Sequence, residues 1–304
     1  MKSAIAFSPC HITGFFEISD GSHDPLYAGS RGAGISLAQG VRTVVKASPS
    51  HSNLVMITIN GKTAPSANVS HQVLDLALRH KEVREKAALL IEHSVDLAIG
   101  AGLGTSGAAA LSLVLALNQA LGLGMSKLEA FEVAHITEIR CKTGLGTVIA
   151  QSCGGLEIRT KPGAPGIGEV RQVPLSSEYI VVASVLGPMP TREVLSDEKS
   201  RRDINRIGGE FVDDFSKNPN AKKFMELSRE FAEHVGLITP RIRKILTRTD
   251  NAGFTCSMPM FGESVFTLVK PDEVENLVKS LPADSSKSQT IISGIDYLGA
   301  RLLE

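Results

Sequence analysis

The chain has 304 residues, 42% of them hydrophobic and 21% charged, with 32 lysines and arginines against 32 aspartates and glutamates. That length accommodates two domains, the composition excludes a disordered or collagen-like chain, and the balanced charge gives no support to a nucleic-acid partner or an acidic membrane surface. Cys10, Cys141, Cys153 and Cys256 show no Cys-x-x-Cys spacing, which points to reduced thiols rather than a disulfide frame or a zinc site. The apolar run over residues 108–117 is interrupted by Ser112 and too short to cross a bilayer, and no basic segment precedes a long apolar core. A cytoplasmic protein with no membrane partner is expected.

In chain order, a short strand over residues 3–7 leads into the segment 9–16. Residues 24–34, with Gly29, Gly32 and Gly34, read as too glycine-rich for regular structure: an anion-binding turn, or a hairpin bend with a solvated Arg31. Strands follow at 41–47 and 54–59, the second closed by Asn60-Gly61. Helical patterns cover 70–79 and 83–93. A short apolar run over 95–99 is then expected to be a strand feeding a turn with Gly100, Gly102, Gly104 and Gly107, and an Ala/Leu helix follows. Strand, glycine turn and helix form a phosphate-binding layout, because glycine permits positive φ and close backbone approach while the helix start offers unpaired N–H groups and partial positive charge. Further on, a helix over 127–140 carries His135 and Glu138 one turn apart. A Thr143-Gly-Leu-Gly turn, a strand over 156–159 ending in Arg159, and a Pro/Gly run over 161–168 come next. Residues 179–186 read as a buried strand, 187–192 as a turn opening a polar helical region, 220–235 and 240–247 as helices. Strands at 254–258 and 264–269, a helix over 271–281 and a strand at 290–293 complete an α+β pattern.

Three families share such a glycine turn. A Walker loop needs a Lys-Ser/Thr pair after its last glycine, but Ala108 and Ala109 follow Gly107. The dinucleotide fingerprint matches Gly102, Gly104 and Gly107 literally, yet requires a second strand ending in an acid about 20 residues on, where this chain carries the helix 127–140. The third pattern, Ala98-Ile-Gly100-Ala-Gly102-Leu103-Gly104-Thr105-Ser106-Gly107, resembles the loop of the galactokinase, homoserine kinase, mevalonate kinase and phosphomevalonate kinase (GHMP) superfamily. With Pro9-Cys-His11-Ile-Thr13-Gly, Asp24-Pro to Gly34, Thr143-Gly-Leu-Gly146, Gly154-Gly-Leu-Glu-Ile-Arg159 and the Pro/Gly run, the resemblance narrows to the archaeal pantoate kinases.

That resemblance implies a GHMP kinase fold, with a βαβ-rich nucleotide-binding domain over residues 1–168 and a ferredoxin-like domain over 169–304. It also implies phosphorylation of pantoate by ATP with Mg²⁺ in coenzyme A biosynthesis. Gly100, Gly102, Leu103, Gly104, Thr105 and Ser106 would bind the phosphates, Ser106 and Glu138 would hold the metal, and Ser30, His135, Arg159 and Thr191 would bind substrate. Relatives often place an aspartate near residue 147, where this chain has Thr147, which cannot act as a base at neutral pH. Other GHMP-type kinases, a non-catalytic nucleotide-binding protein and an NAD-dependent oxidoreductase are the competing readings, and a homodimer is an allowed assembly.

Overall fold

A computed structural model of the chain describes residues 2–80, 86–175, 178–189, 197–283 and 288–304. Two long strands, β1 (Lys2–Ser19) and β2 (Gly29–Pro49), pair antiparallel along their whole lengths. Register shifts between Pro9 and His11 and between Thr13 and Phe15 bend this ribbon, so its two ends serve different layers. The segment 29–34 is therefore regular strand, not the irregular turn that its glycine content suggests. Arg31 is not a free anion ligand either, since it is held by Glu17 at 2.6 Å and Asp213 at 3.0 Å.

The first sheet continues with β3 (Leu54–Ile59), β4 (Lys62–Thr63) and β5 (Ala87–Val95), in the order β11-β1-β2-β5-β3-β4. The outermost of these, β11 (Arg301–Leu303), pairs with β1 from the far end of the chain. A helix expected over 83–93 is overturned: 87–95 is a strand hydrogen-bonded on both sides, to β2 antiparallel and to β3 parallel, and 83–85 lie outside the described residues. Leu89, Ile91 and His93 are buried at every second position, a period of two that the unbroken apolar run over 87–91 does not display in the sequence. Nor does the strand expected at 95–99 form, because β5 already ends at Val95.

Helix α2 (Thr105–Leu121) lies on β1 and β2 of this sheet, and α1 (Asn68–His80) and α3 (Lys127–Cys141) pack against α2 and each other. Helix α2 is buried nearly all round, which accounts for its Ala/Leu sequence. Helix α4 (Thr147–Cys153) leads to β6 (Leu156–Lys161) and β7 (Glu169–Val173), and β6 pairs with the glycine-rich start of β2. Residue 168 falls between these two paired strands, and β11 also belongs to the first sheet, so residues beyond 168 help to build it.

The second sheet is β10-β8-β9, antiparallel, from β8 (Ile180–Pro188), β9 (Gly262–Val269) and β10 (Gln289–Ser293). Of the later helices, α5 (Glu198–Lys217) packs on β1, β2 and β6 of the first sheet and α6 (Ala221–Val235) on α5 and β1, while α7 (Pro240–Asn251) lies on β9 of the second sheet and α8 (Val274–Ser280) on α7. The strand expected at 254–258 reduces to one bridge between Ser257 and Phe266. Phe15 and Phe16 of β1 pack edge-on or tilted against Phe215 and Phe231 with ring centroids 5.6 and 5.8 Å apart, so one apolar core joins both sheets. The α+β layout is as the sequence indicates. Among the described residues no helix is long and apolar enough to cross a membrane.

Behind α2 lies a buried polar chain in which His93 meets Thr43 Oγ1 at 2.8 Å and Ser70 Oγ at 3.0 Å, and Thr43 in turn meets Ser112 Oγ at 2.6 Å. Burial lowers the His93 pKa to about 4, so the folded ring stays neutral while an unfolded one takes up its proton near 6.5. The sign follows: stability is full above pH 6.5, falls as pH drops through the window from 6.5 to 4, and levels off below it. Thermal midpoints measured across that window should fall by at least a few degrees. His93→Gln, which keeps acceptor and donor capacity without the charge, should flatten the decline; a decline of unchanged slope would place its origin in other groups.

Candidate active site

The turn ahead of α2 takes the conformation its glycines permit, with φ of 80° at Gly100, 76° at Gly102 and 65° at Gly104. At Gly102 a Cβ would stand 2.9 Å from the Met260 carbonyl oxygen, and at Gly104 it would stand 3.0 Å from that of His11, so glycine is required by φ and by space together. The α2 N-cap is Gly104, and no side chain caps the helix. Its first N–H groups therefore remain available to an anion, as at many phosphate-binding helix starts. Gln151 of α4 pins the turn by donating to the Gly104 carbonyl at 2.8 Å, and Ser264 of β9 donates to that of Ala101 at 2.9 Å. Residues around 260 thus brace the loop, and Met260 and Phe261 reach the cavity wall.

Beside this turn lies a cavity of about 210 Å³ whose lining includes His11, Thr13, Ser30, Ser106, Thr147 and Arg159. Gly100, Gly102, Leu103, Gly104 and Thr105 line it as well, so the structure brings the whole expected phosphate loop to one face.

Glu138 sits at the end of α3, close behind Ser106. A capping box at Ser126 and Glu129 starts this helix and Lys142, with φ of 56°, ends it, which leaves Glu138 in the last turn. A carboxylate there faces the negative end of the helix dipole and is 2% exposed, so burial pushes its pKa up. Thr143 Oγ1 donates to Oε1 at 2.5 Å and the Ser106 hydroxyl lies beside the carboxylate, close enough to favour its charged form, while Oε2 has no hydrogen-bond partner among the described residues. A buried acceptor left unpaired beside a serine hydroxyl fits a hard cation, and one carboxylate suffices for Mg²⁺ when phosphate oxygens and water complete its shell. Among the described residues no cluster of three or more His, Cys, Asp and Glu could hold a metal by itself.

Arg159 is 1% exposed. Its Nη1 donates to the Gly146 carbonyl at 2.8 Å, while Nε and Nη2 have no hydrogen-bond partner among the described residues. Ser30 shares this corner, since a Cβ on Gly146 would strike both Ser30 Oγ and Arg159 Nη1. His135 does not line the cavity. Its Nε2 faces the carbonyls of Ala28 at 2.9 Å and Pro25 at 3.1 Å, and burial lowers its pKa, so the neutral ring holds the approach to Ser30. Thr191 lies outside the described residues.

Sequence reasoning assigned no role to His11, Thr143, Gln151 or Glu157. For Glu157 a signal existed: it stands two residues before Arg159 on one strand and so shares its face.

Residues 68–155 match the GHMP kinases N terminal domain family. Over 90% of this chain, 34% of residues are identical to those of a pantoate kinase from Methanocaldococcus jannaschii, 96% of which is covered. The chain belongs to the pantoate kinase family. A pantoate kinase from Thermococcus kodakarensis is also 34% identical, over 92% of this chain and 91% of that protein. A solved structure described as a phosphotransferase related to the CoA biosynthesis pathway superposes with a TM-score of 0.89 at 29% identity, covering 99% of this chain and 98% of that one. Homoserine kinase from Cytophaga hutchinsonii, at 17% identity and a TM-score of 0.71, shares the fold. As GHMP kinases, the members of the pantoate kinase family use ATP.

Proposed function

We propose that the protein transfers the γ-phosphoryl group of ATP to the 4-hydroxyl of pantoate, in coenzyme A biosynthesis, with Mg²⁺. The observation that carries this reading is Arg159: a buried guanidinium whose Nη2 has no hydrogen-bond partner among the described residues, on the wall of a cavity that also contains a bare helix start. One feature suits a substrate carboxylate and the other a polyphosphate.

In this reading the N–H groups from Gly102 to Ser106 hold the phosphates, and Ser106 and Glu138 hold the metal. Bound there, Mg²⁺ would neutralise charge on the phosphates. Arg159 takes the pantoate carboxylate and Ser30 one of its polar oxygens, while His135 keeps the Ser30 approach in place. Thr191 remains a proposed substrate ligand on the family resemblance. Thr147, the first residue of α4, lines the cavity without supplying a base. Phosphoryl transfer tolerates this, because its loose transition state is governed by positioning and charge neutralisation. Thr147→Ala should accordingly cost less than about tenfold in kcat at saturating substrates, under about 1.4 kcal/mol. A larger loss with unchanged KM values would give the hydroxyl a role in the chemical step.

A division at residue 168, across which β7 and β11 return to the first sheet, a cytoplasmic location, consistent with four free cysteines, and a homodimer belong to the same proposal. Incubation with Mg-ATP and a panel of hydroxy acids, following ADP release, is the test. Turnover should be greatest with pantoate; preference for homoserine or mevalonate would redirect the substrate assignment, and ATP binding without turnover would leave a nucleotide-binding protein.

A further inference from the structure

The role given to Arg159 leaves a second buried acid without a purpose. Glu157 is 0% exposed and shares its face of β6 with Arg159. The register sets Glu157 opposite Gly34 and Arg159 opposite Gly32 on β2. A Cβ at Gly32 would lie 2.7 Å from Arg159 Nη2, and one at Gly34 would strike the His11 ring. Those two glycines therefore open a trough along β2 in which the charged side chains lie. Within it Glu157 Oε1 meets His11 Nε2 at 3.1 Å, so Nε2 carries the proton, and Oε2 lies 3.4 Å from Arg159 Nε, an ion pair without a formed hydrogen bond. His11 reaches the cavity wall directly, beside Arg159.

We propose that Glu157 is a positioning residue for substrate recognition: set between His11 and Arg159, it fixes the plane of the guanidinium so that Nη2 meets the substrate carboxylate, and thereby selects carboxylate-bearing alcohols. The proposal rests on the reading of Arg159 given above and adds a residue that acts through it. A competing effect has the opposite sign. The Glu157 charge also repels a substrate carboxylate, so as a counter-charge alone its removal would tighten binding.

Two variants separate the effects, since Glu157→Gln keeps the volume and removes the charge, whereas Glu157→Asp keeps the charge and withdraws it by one methylene. The measurements are KM for pantoate, KM for Mg-ATP, and the preference in kcat/KM for pantoate over the neutral analogue with a hydroxymethyl group in place of the carboxylate. Both variants should raise the pantoate KM by about tenfold or more and reduce that preference similarly, as loss of orientation does. The Mg-ATP KM should stay unchanged, which also reports an intact fold. A lower or unchanged pantoate KM in the Glu157→Gln variant, or equal rises in both KM values, would overturn the proposal. If the unaltered protein prefers another hydroxy acid, the pantoate assignment fails, and the same measurements on that acid decide the role of Glu157. A protein that turns over no carboxylate substrate would overturn both.

Discussion

Glu138→Gln and Ser106→Ala should each lower kcat by roughly a hundredfold or more while weakening ATP binding far less. In the first variant the new amide would still accept from Thr143, and its volume is nearly that of the carboxylate, so neither the end of α3 nor the Thr143 turn need move. What disappears is the negative charge at Oε2, the buried atom beside Ser106 that has no hydrogen-bond partner among the described residues. In the proposed arrangement ground-state ATP is held chiefly by the N–H groups of the turn, which both substitutions leave in place. A misplaced metal, in contrast, loses neutralisation where charge develops during transfer, and that loss appears in kcat. Steady-state kinetics at saturating Mg²⁺ with a direct measurement of ATP affinity checks the split. A variant that keeps the original kcat is not altered at a metal ligand.

Arg159→Ala should chiefly raise the KM for pantoate, by roughly ten- to a hundredfold, since a hydrogen bond to a charged group contributes about 1.5–3 kcal/mol. The side chain is too deep to be replaced by solvent, and while Nε faces Glu157 at 3.4 Å, Nη2 at the cavity has no partner among the described residues. The same substitution removes the partner of the buried Glu157, so some thermal stability is also lost. Arg159→Lys should recover little, because an ammonium cannot reproduce a planar fork that bonds the Gly146 carbonyl and a carboxylate together. An unchanged pantoate KM, or an equal rise for ATP, would move the carboxylate pocket elsewhere.

Much of the site was legible in the chain because its chemistry is local. The glycines at 100, 102 and 104 announce positive φ, the run after Thr105 announces a buried helix, and the spacing from His135 to Glu138 places both on one helix. The strand at 87–95 was not legible: its apolar run fits a short helix as well as a strand, and the choice falls to β2 and β3, which need a hydrogen-bonding partner between them. The stretch 29–34 misled for a related reason. Its glycines read as a turn, whereas they make room on a strand for the ring of His11 and the guanidinium of Arg159, groups remote in sequence.

By itself, then, the sequence determined the glycine turn and the helix that follows it, since backbone propensity acts over a few neighbours, and its family resemblance singled out Glu138 and Arg159 as candidates. Only the tertiary structure decided that His135 faces backbone carbonyls while His11 faces the cavity. The same holds for Glu157 beneath Arg159 and for the Glu138 oxygen left unpaired. Those outcomes depend on strand register, burial and the competition of distant groups for each hydrogen bond, which no local pattern encodes.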